Sequence, residues 1–501
     1  MIFSWALLIA IALLCFALPV VLFLAISANL SRFGFVSLLL AAFGAVSGYT
    51  ILASLLPKKQ KFEAPGVAID LAKETQLAGE IRWLAEALHE PMPSDVYLLG
   101  DVNAFVTEVA GEGTGKRRIL AFGLPLMRAL SLDQFRAVLA HEFAHYYAGD
   151  TQLGPWVYGA RLRMARVYEN LGSNSQSLRF LRRWAVVSVA YQLLMAGLRL
   201  YWKIFMRITQ AISRRQELRS DELACYLAGS RALSEGLEST QRWGVALNSY
   251  WNGVVVPVAA SGFQPPLADG FFRYMQAPAI AKATSEYLAE NRSATSPMDS
   301  HPPLDRRMEQ ARQLNLPVPE RDGAEALDRP AIALLRDLET LEAALVKKCL
   351  PAVANTDLKP LDWDETGIQV YMPRWRKKVE GCAGLLAAKT LRDLPVLVRD
   401  WLLIVDKNAN TPYYRAQGGS NMPIDVLFCA LALCFIDHGW SLSCQPGDLF
   451  LEREGAKIYP GEVFDQMRSG KTRPEEWAAR CEAEGWADWP LFAEVRQPVS
   501  A

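Results

Sequence analysis

The chain has 501 residues, which is too long for one ordinary domain and long enough for two or three domains with separate cores. Apolar residues make up 51% of the chain and its mean hydropathy is +0.08, a balance that indicates a few membrane segments attached to a large water-soluble body. The 53 basic and 53 acidic residues cancel, so net charge points to no class of partner. The eight cysteines include no CxxC pair, which favours free thiols in a reducing compartment over a disulfide framework.

Two uncharged apolar runs near the N-terminus predict a transmembrane helical hairpin over residues 1–57. Ile2 to Ile26 and Phe35 to Leu56 are each long enough to cross a bilayer, which needs about 20 residues. A cleavable signal peptide fits poorly, because the first run is too long and has no basic start. Pro57 ends the second run and three lysines follow it closely, whereas Arg32 is the single charge between the runs. The positive-inside rule therefore places the rest of the chain in the cytoplasm.

A helix with a metal-binding motif is predicted to begin at Ser131. This serine and Gln134, three residues later, form a capping-box pattern that starts a helix. The same helix carries the sequence HEFAH, from His141 to His145. Residues four apart lie on one helical face, so both imidazoles can reach one ion, and Glu142 beside them can take the proton from an attacking water. A chance match to this motif is rare in a chain with five histidines, so the spacing predicts a zinc site.

A catalytic zinc needs a third protein ligand and an open position. No histidine follows the motif at the spacing of the extended HExxHxxGxxH pattern, so a carboxylate is needed. The best candidate is Glu217, which forms an ExxxD pair with Asp221 on a helical pattern. Glu217 can complete the metal site, and Asp221 can accept a hydrogen bond from a ligand histidine and fix its tautomer. Such a pair is by itself more typical of a solvated helix face, so the spacing leaves both interpretations open.

Four segments of the chain together resemble a known family. They are Asn103-Ala104-Phe105, HEFAH, ELRSD at 217–221 and HPPLDRR at 301–307. In this order they resemble the membrane metallopeptidase family that includes the HtpX proteases and the CAAX prenyl proteases. HExxH alone is shared with many zinc proteases, whereas the ordered set is specific. The resemblance covers about residues 65 to 315, and the preceding hairpin is similar to the HtpX arrangement.

This resemblance implies roles for four residues outside the HEFAH motif. It implies that Glu217 is the third zinc ligand and that Asp221 supports a ligand histidine without binding the zinc itself. It also implies that His301 and Arg307 lie near the substrate, where they can stabilise negative charge on the carbonyl oxygen. The alternative for the HPP segment is a simple turn before a helix. The CAAX proteases have more membrane helices than this chain offers, so prenyl-protein processing is the less favoured function.

A third apolar stretch, residues 184–206, lies between the predicted ligands and contains two basic residues. His145 and Glu217 must meet on one side of the bilayer, so the number of crossings between them is even, and this stretch is too short to cross twice. We therefore expect it to pack on protein, lie in the membrane interface, or dip in and return. From Thr151 to Gln216, eleven basic residues accompany one acid. This excess favours anionic lipid over nucleic acid as a partner, with a basic solvated face as the alternative.

The predicted fold is mainly α with a small β component (α+β). After the transmembrane hairpin we expect a zincin-like metalloprotease domain over residues 65–320 and an α-rich accessory domain of open role over 325–501. An amphipathic helix is expected at Leu71 to Leu88. Short strands are expected at Asp95 to Leu99, Ala104 to Val109 and Arg118 to Phe122. A small sheet beside the catalytic helix would offer an edge on which a substrate can lie extended.

The sequence therefore predicts a membrane-bound, zinc-dependent endopeptidase. We expect a multi-pass protein of the cell inner (plasma) membrane whose catalytic domain is cytoplasmic and holds one Zn²⁺ per chain. The expected partners are the lipid bilayer and membrane-associated polypeptide substrates, with no nucleic acid, and the resemblance extends to membrane-protein quality control. The alternative function is a non-catalytic membrane adaptor with a protease-like fold. Retention of all the expected catalytic residue types argues against that alternative.

Overall fold

The computed structural model describes residues 9–15, 17, 21, 34–56, 62–110, 116–147, 150–174, 180, 183–291, 302–319, 328–400 and 422–492. The α-helices with described bounds are α1 (Gly34–Leu55), α2 (Thr75–Ala87), α3 (Leu124–Ala129), α4 (Leu132–Tyr147), α5 (Asp150–Glu169), α6 (Ala185–Ala228), α7 (Ser230–Tyr250), α8 (Val256–Ala260), α9 (Leu267–Gln276), α10 (Pro278–Asn291), α11 (Leu304–Leu314), α12 (Leu338–Cys349), α13 (Met372–Glu380), α14 (Ala383–Leu386), α15 (Met422–Asp437), α16 (Pro460–Arg468) and α17 (Pro474–Ala483). The β-strands are β1 (Val67–Ala68), β2 (Asp95–Leu99), β3 (Ala104–Ala110), β4 (Lys116–Gly123), β5 (Phe263–Gln264), β6 (Lys359–Pro360), β7 (Ser441–Gln445), β8 (Asp448–Arg453) and β9 (Ala456–Ile458). This mainly helical architecture with small sheets confirms the predicted fold class.

The three strands predicted from the sequence form a sheet beside the HEFAH helix. The strand order is β1-β2-β4-β3, with β2 and β4 parallel and the other pairs antiparallel. Alternate residues of β2 and β4 face opposite sides, as the pleat requires, and Leu98 and Phe122 enter the main core. Among the described strands, β3 is hydrogen-bonded to β4 alone, so it forms an edge of the sheet.

The HEFAH helix α4 is enclosed by the core at its centre. Phe135, Leu139 and Phe143 recur every four residues and are all fully buried. At its start, the Ser131 N–H donates to Gln134 Oε1 at 3.3 Å, while the Ser131 hydroxyl bonds to Asp133. Of the two hydrogen bonds of the predicted capping box, the one to the Gln134 side chain is therefore present. The Ser131 hydroxyl bonds to Asp133 and does not form the other.

The longest described helix, α6, joins the apolar stretch at 184–206 directly to Glu217. Its first half shares a hydrophobic cluster with α1 and α5. The chain thus enters this cluster along α5 after leaving α4 and returns along α6, which keeps both ends on one side. The apolar stretch therefore packs on protein, which is one of its three expected arrangements.

Two helices are long and apolar enough to cross a membrane among the described residues. They are Phe35–Leu55 and the helix Ala185–Ala228. The first agrees with the second run of the predicted hairpin. The first predicted run, Ile2 to Ile26, lies largely outside the described residues.

The metalloprotease core extends beyond the predicted domain boundary at residues 320–325. Residues 328–370, which we call the strap, contribute buried side chains such as Leu345 and Trp363 to the same core as α4. The Leu132 N–H at the start of α4 donates to the Arg329 carbonyl at 2.8 Å. A second core begins at Trp375 and contains the remaining helices and the β7-β8-β9 sheet. The two cores therefore divide near residue 371.

Candidate metal centre

Three predicted ligand residues converge between α4 and α6. His141 Nε2 lies 3.4 Å from Glu217 Oε2, and His145 Nε2 lies 3.7 Å from Glu217 Oε1. One ligand atom from each residue lies within 4.8 Å of the others. Ligand atoms about 2.1 Å from a tetrahedral zinc are separated by roughly 3.4 Å, so this donor set fits such an ion.

The second ring nitrogen of each histidine has a partner on α6. His141 Nδ1 lies 2.9 Å from Asp221 Oδ1, and His145 Nδ1 lies 3.3 Å from the Ser220 hydroxyl. These contacts turn both Nε2 atoms toward Glu217, which is the arrangement of a histidine that binds metal through Nε2. Ser220 was missed by the sequence interpretation, and its position beside Asp221 was the one signal for it.

Arg307 lies beside the predicted ligands. Its Nε and Nη2 donate to the two Asp221 oxygens at 2.8 and 2.6 Å, and Nη2 lies 3.4 Å from His141 Nδ1. Both members of this pair are buried. The structure thus gives Arg307 a two-point bond to Asp221, and its predicted contact with the substrate stays a prediction. His301, the other residue expected near the substrate, lies outside the described residues.

The electrostatics of this cluster favour a cation beside Glu217. Burial by itself lowers the pKa of His141, but hydrogen bonds to Asp221 and Glu217 outweigh it and raise the pKa to about 9. Burial would raise the pKa of Asp221, yet hydrogen bonds from Arg307 and His141 keep that pKa below its ordinary value. Asp221 is therefore a carboxylate, and the pocket stabilises positive charge at His141 in the absence of a metal ion.

Glu142 has the position expected of a base. It lies on α4 between the two histidines and is half-buried, so water can reach its carboxylate. Its charge acts on His141, raising the pKa of that imidazole. The helix thus brings a carboxylate to the edge of the candidate metal site, as the HExxH spacing predicts.

Comparisons with known proteins find one family. The model of Peptidase family M48 matches residues 71–315. Protease HtpX from Pasteurella multocida is 30% identical over 223 residues, which are 41% of this chain and 71% of that protein. Protease HtpX from Xylella fastidiosa (strain 9a5c) is 33% identical over 144 residues, 28% of this chain and 47% of the relative. Protease HtpX from Xanthomonas campestris pv. campestris is 26% identical over 259 residues, 49% of this chain and 84% of the relative.

The matched region contains strands β2 to β4, α4 and the ligand-bearing end of α6, and it ends before the strap. The candidate metal cluster thus lies within the part of the chain that is similar to known proteases. Identity of 30% across most of a relative, together with the family match, shows that this chain belongs to peptidase family M48 and is a metalloprotease of the HtpX group.

Proposed function

We propose that this chain is a membrane-bound, zinc-dependent endopeptidase that cleaves polypeptides at the cytoplasmic face of the membrane. The observation that carries the proposal is the convergence of His141, His145 and Glu217, with both Nε2 atoms directed at the carboxylate. These three residues would hold the zinc and leave a fourth position open, as in other catalytic zinc sites. Bound zinc supplies a Lewis acid that polarises the scissile carbonyl and lowers the pKa of water.

The proton transfers of peptide hydrolysis are assigned to Glu142. As general base it takes the proton from the attacking water, and as general acid it returns this proton to the leaving amine. Asp221 keeps His141 in the tautomer that presents Nε2, and Arg307 keeps Asp221 ionised and in place. Arg307 is thus proposed as a positioning residue, because its guanidinium holds both oxygens of Asp221.

We propose that the substrate backbone binds along the edge strand β3. An extended peptide can add to an exposed strand edge through main-chain hydrogen bonds. The Tyr146 hydroxyl lies 3.2 Å from the Thr107 carbonyl of β3 and 2.9 Å from the Ile119 carbonyl of β4. Because Tyr146 directly follows His145 on α4, this contact couples the edge strand to the metal-binding helix.

Membrane attachment supports membrane-associated polypeptides as substrates. The apolar helix α1 and the first half of α6 supply the candidate spans, and the basic residues of α6 from Lys203 to Arg215 favour the cytoplasmic leaflet. An enzyme held there meets membrane proteins more often than soluble ones. That preference is the basis on which we propose a role in membrane-protein quality control.

The decisive experiment compares the detergent-purified parent with Glu142→Gln for zinc content and casein cleavage. One equivalent of zinc in both, with cleavage by the parent alone, would support the proposal. Glu238→Gln, on the exposed face of α7, is the matched control and should behave like the parent. Zinc in all three proteins without cleavage would favour the adaptor alternative, and normal turnover by Glu142→Gln would overturn the assignment of the base.

A further inference from the structure

The outward face of α6 carries two parallel stripes of side chains in its middle third. The basic stripe consists of Arg199, Lys203 and Arg207, all exposed. The aliphatic stripe consists of Leu200, Ile204, Ile208 and Ile212, which are 50–61% exposed. With a spacing of four residues each stripe turns by only about 40° per step around the helix, and the offset of one residue makes the two stripes neighbours. Four large aliphatic side chains in a row are unusual on a water-facing helix.

The charges on this face are all of one sign. No acidic residue occurs in α6 before Glu217, which is buried in the metal cluster. In the described part of the chain, none of the three cations in the basic stripe forms an ion pair. Exposed aliphatic groups beside unpaired cations fit the surface of a bilayer with anionic headgroups. The aliphatic side chains can enter the membrane interface, and the cations can bind lipid phosphates. A second copy of the chain fits poorly, because the same face would oppose cations with cations.

The position of the bilayer along α6 follows from its contacts with α1. The rings of Phe35 and Trp184 lie 5.0 Å apart, so the two helices begin at the same level. Their shared cluster reaches Leu55 on α1 and Trp202 on α6. The 21 apolar residues of α1 are about 31 Å long, close to the thickness of the hydrocarbon layer. The edge of that layer therefore falls near Lys203, and the two stripes continue outward from it.

The metal cluster lies farther along the same unbroken helix. Glu217 follows Lys203 by 14 residues, which corresponds to about 21 Å of helix. The headgroup region occupies roughly the first 5–8 Å of that distance. An extended polypeptide covers about 3.3 Å per residue and so needs about six residues to reach the metal from the hydrocarbon edge.

We infer that the outward face of α6 from Lys203 to Ile208 lies in the anionic headgroup layer and that α6 holds the metal centre at a fixed height above the bilayer. The enzyme then cuts single-span membrane proteins in their cytoplasmic tails, no closer than about six residues to the membrane. This inference rests on the proposed function for its catalytic part. The membrane contact itself depends on the two stripes alone.

The membrane contact can be tested with a photocrosslinking amino acid in place of Ile208. The full-length protein is placed in nanodiscs of phosphatidylcholine and phosphatidylglycerol at a ratio of three to one. Tyr226 is the matched control, because it is 55% exposed and lies on the same helical face five turns farther from the membrane. We expect lipid adducts at 208, enriched in phosphatidylglycerol above its one-quarter share, and none at 226. Absence of lipid adducts at 208, adducts without that enrichment, or a crosslinked dimer would each overturn the contact.

The fixed height can be tested with three single-span substrates in the same nanodiscs. Each carries one cleavable sequence in a Gly/Ser tail, starting 3, 8 or 25 residues beyond the span. We expect no cleavage at 3, the fastest cleavage at 8, and cleavage roughly fivefold slower at 25 because the effective concentration falls with tether length. Equal rates at 3 and 8 residues would overturn the fixed height. Casein cleavage by the same preparation tests the proposed function separately, so failure on casein as well would reject the protease assignment first.

Discussion

Arg307 and Asp221 form a buried two-point ion pair directly behind His141. The guanidinium donates to both carboxylate oxygens, at 2.8 and 2.6 Å, and one of those oxygens lies 2.9 Å from His141 Nδ1. A guanidinium matches a carboxylate in this bidentate geometry, whereas a lysine ammonium makes one contact of this kind. Arg307 therefore controls the charge and orientation of Asp221, and through it the direction in which His141 presents Nε2.

Replacing Arg307 with lysine should weaken metal binding. Arg307→Lys keeps the positive charge but loses the fork that orients Asp221, so we expect zinc affinity to fall by about 10- to 100-fold. Competition with a chelator measures this change. Arg306→Lys, at the exposed neighbouring position, should retain the affinity of the parent. Unchanged affinity of Arg307→Lys with lost cleavage would instead point to a contact with the substrate.

Removing the carboxylate of Glu217 should lower zinc affinity more than changing a residue that only supports a ligand. Glu217→Ala deletes one of three proposed ligands, so we expect zinc affinity to fall by at least about 100-fold and the purified protein to hold well below one equivalent. Elemental analysis of the detergent-purified protein gives the zinc content. The control is Glu222→Ala on the same helix, which should hold as much zinc as the parent. Full zinc content in Glu217→Ala would mean that another residue completes the site.

The strap should stabilise the protease rather than the accessory domain. Leu345 is fully buried in the core that contains α4, and Leu345→Ala should cost about 2–5 kcal/mol of stability. We expect the temperature at which casein cleavage is lost to fall accordingly. Leu431→Ala, at an equally buried position of the second core, should disturb that core and leave this temperature much closer to the parent value. An unchanged inactivation temperature in Leu345→Ala would contradict the shared core.

The strap also contains a carboxyl group that should make stability depend on pH. Burial raises the pKa of Glu342 to about 7, although its hydrogen bond from the Ala268 N–H, at 2.8 Å, acts in the opposite direction. The ordinary value is 4.5, so between these two pH values the folded protein keeps a proton that the unfolded chain loses. The free energy of unfolding therefore falls as pH rises through this window, and the loss is complete above pH 7.

Glu342→Gln should remove this dependence, because glutamine stays neutral and retains the acceptor for Ala268. Above pH 7 the variant should be more stable than the parent by roughly 1–3 kcal/mol, with little difference near pH 4.5. Thermal unfolding of the detergent-solubilised proteins at pH 5 and pH 8 measures the effect. Glu339→Gln, exposed on the same helix, is the control and should change little. A variant less stable than the parent at pH 8 would show that ionised Glu342 is favourable.

Much of the protease region was predictable because its signals are local. The strands from Asp95 to Leu99 and from Ala104 onward follow from short runs of β-branched, aromatic and aliphatic residues, and the structure contains both. The HEFAH helix follows from its apolar spacing, and its two histidines come close because they are four residues apart. None of these elements requires knowledge of a distant part of the chain.

Other features were decided by distant contacts. The predicted boundary near residue 325 lies where the family motifs end, yet the strap continues the same core to Val370. For the apolar stretch at 184–206, packing on protein was one of three expected arrangements, and the stretch packs with α1 and α5. Hydropathy averages over neighbours in sequence. It therefore does not predict that the arginine-containing helix α5 joins an apolar cluster, or that the strap returns to the core of the protease domain.

The sequence by itself determined the motif helix, the sheet and the residue types available to bind a metal. The tertiary structure decided which carboxylate meets the histidines, since Glu217 reaches them only through the packing of α6 on α4. It also brought Arg307 to Asp221 and His141, although Arg307 and His141 are 166 residues apart. Helical and strand periodicities are encoded over a few residues, whereas such pairs form only when burial of whole helix faces brings them together.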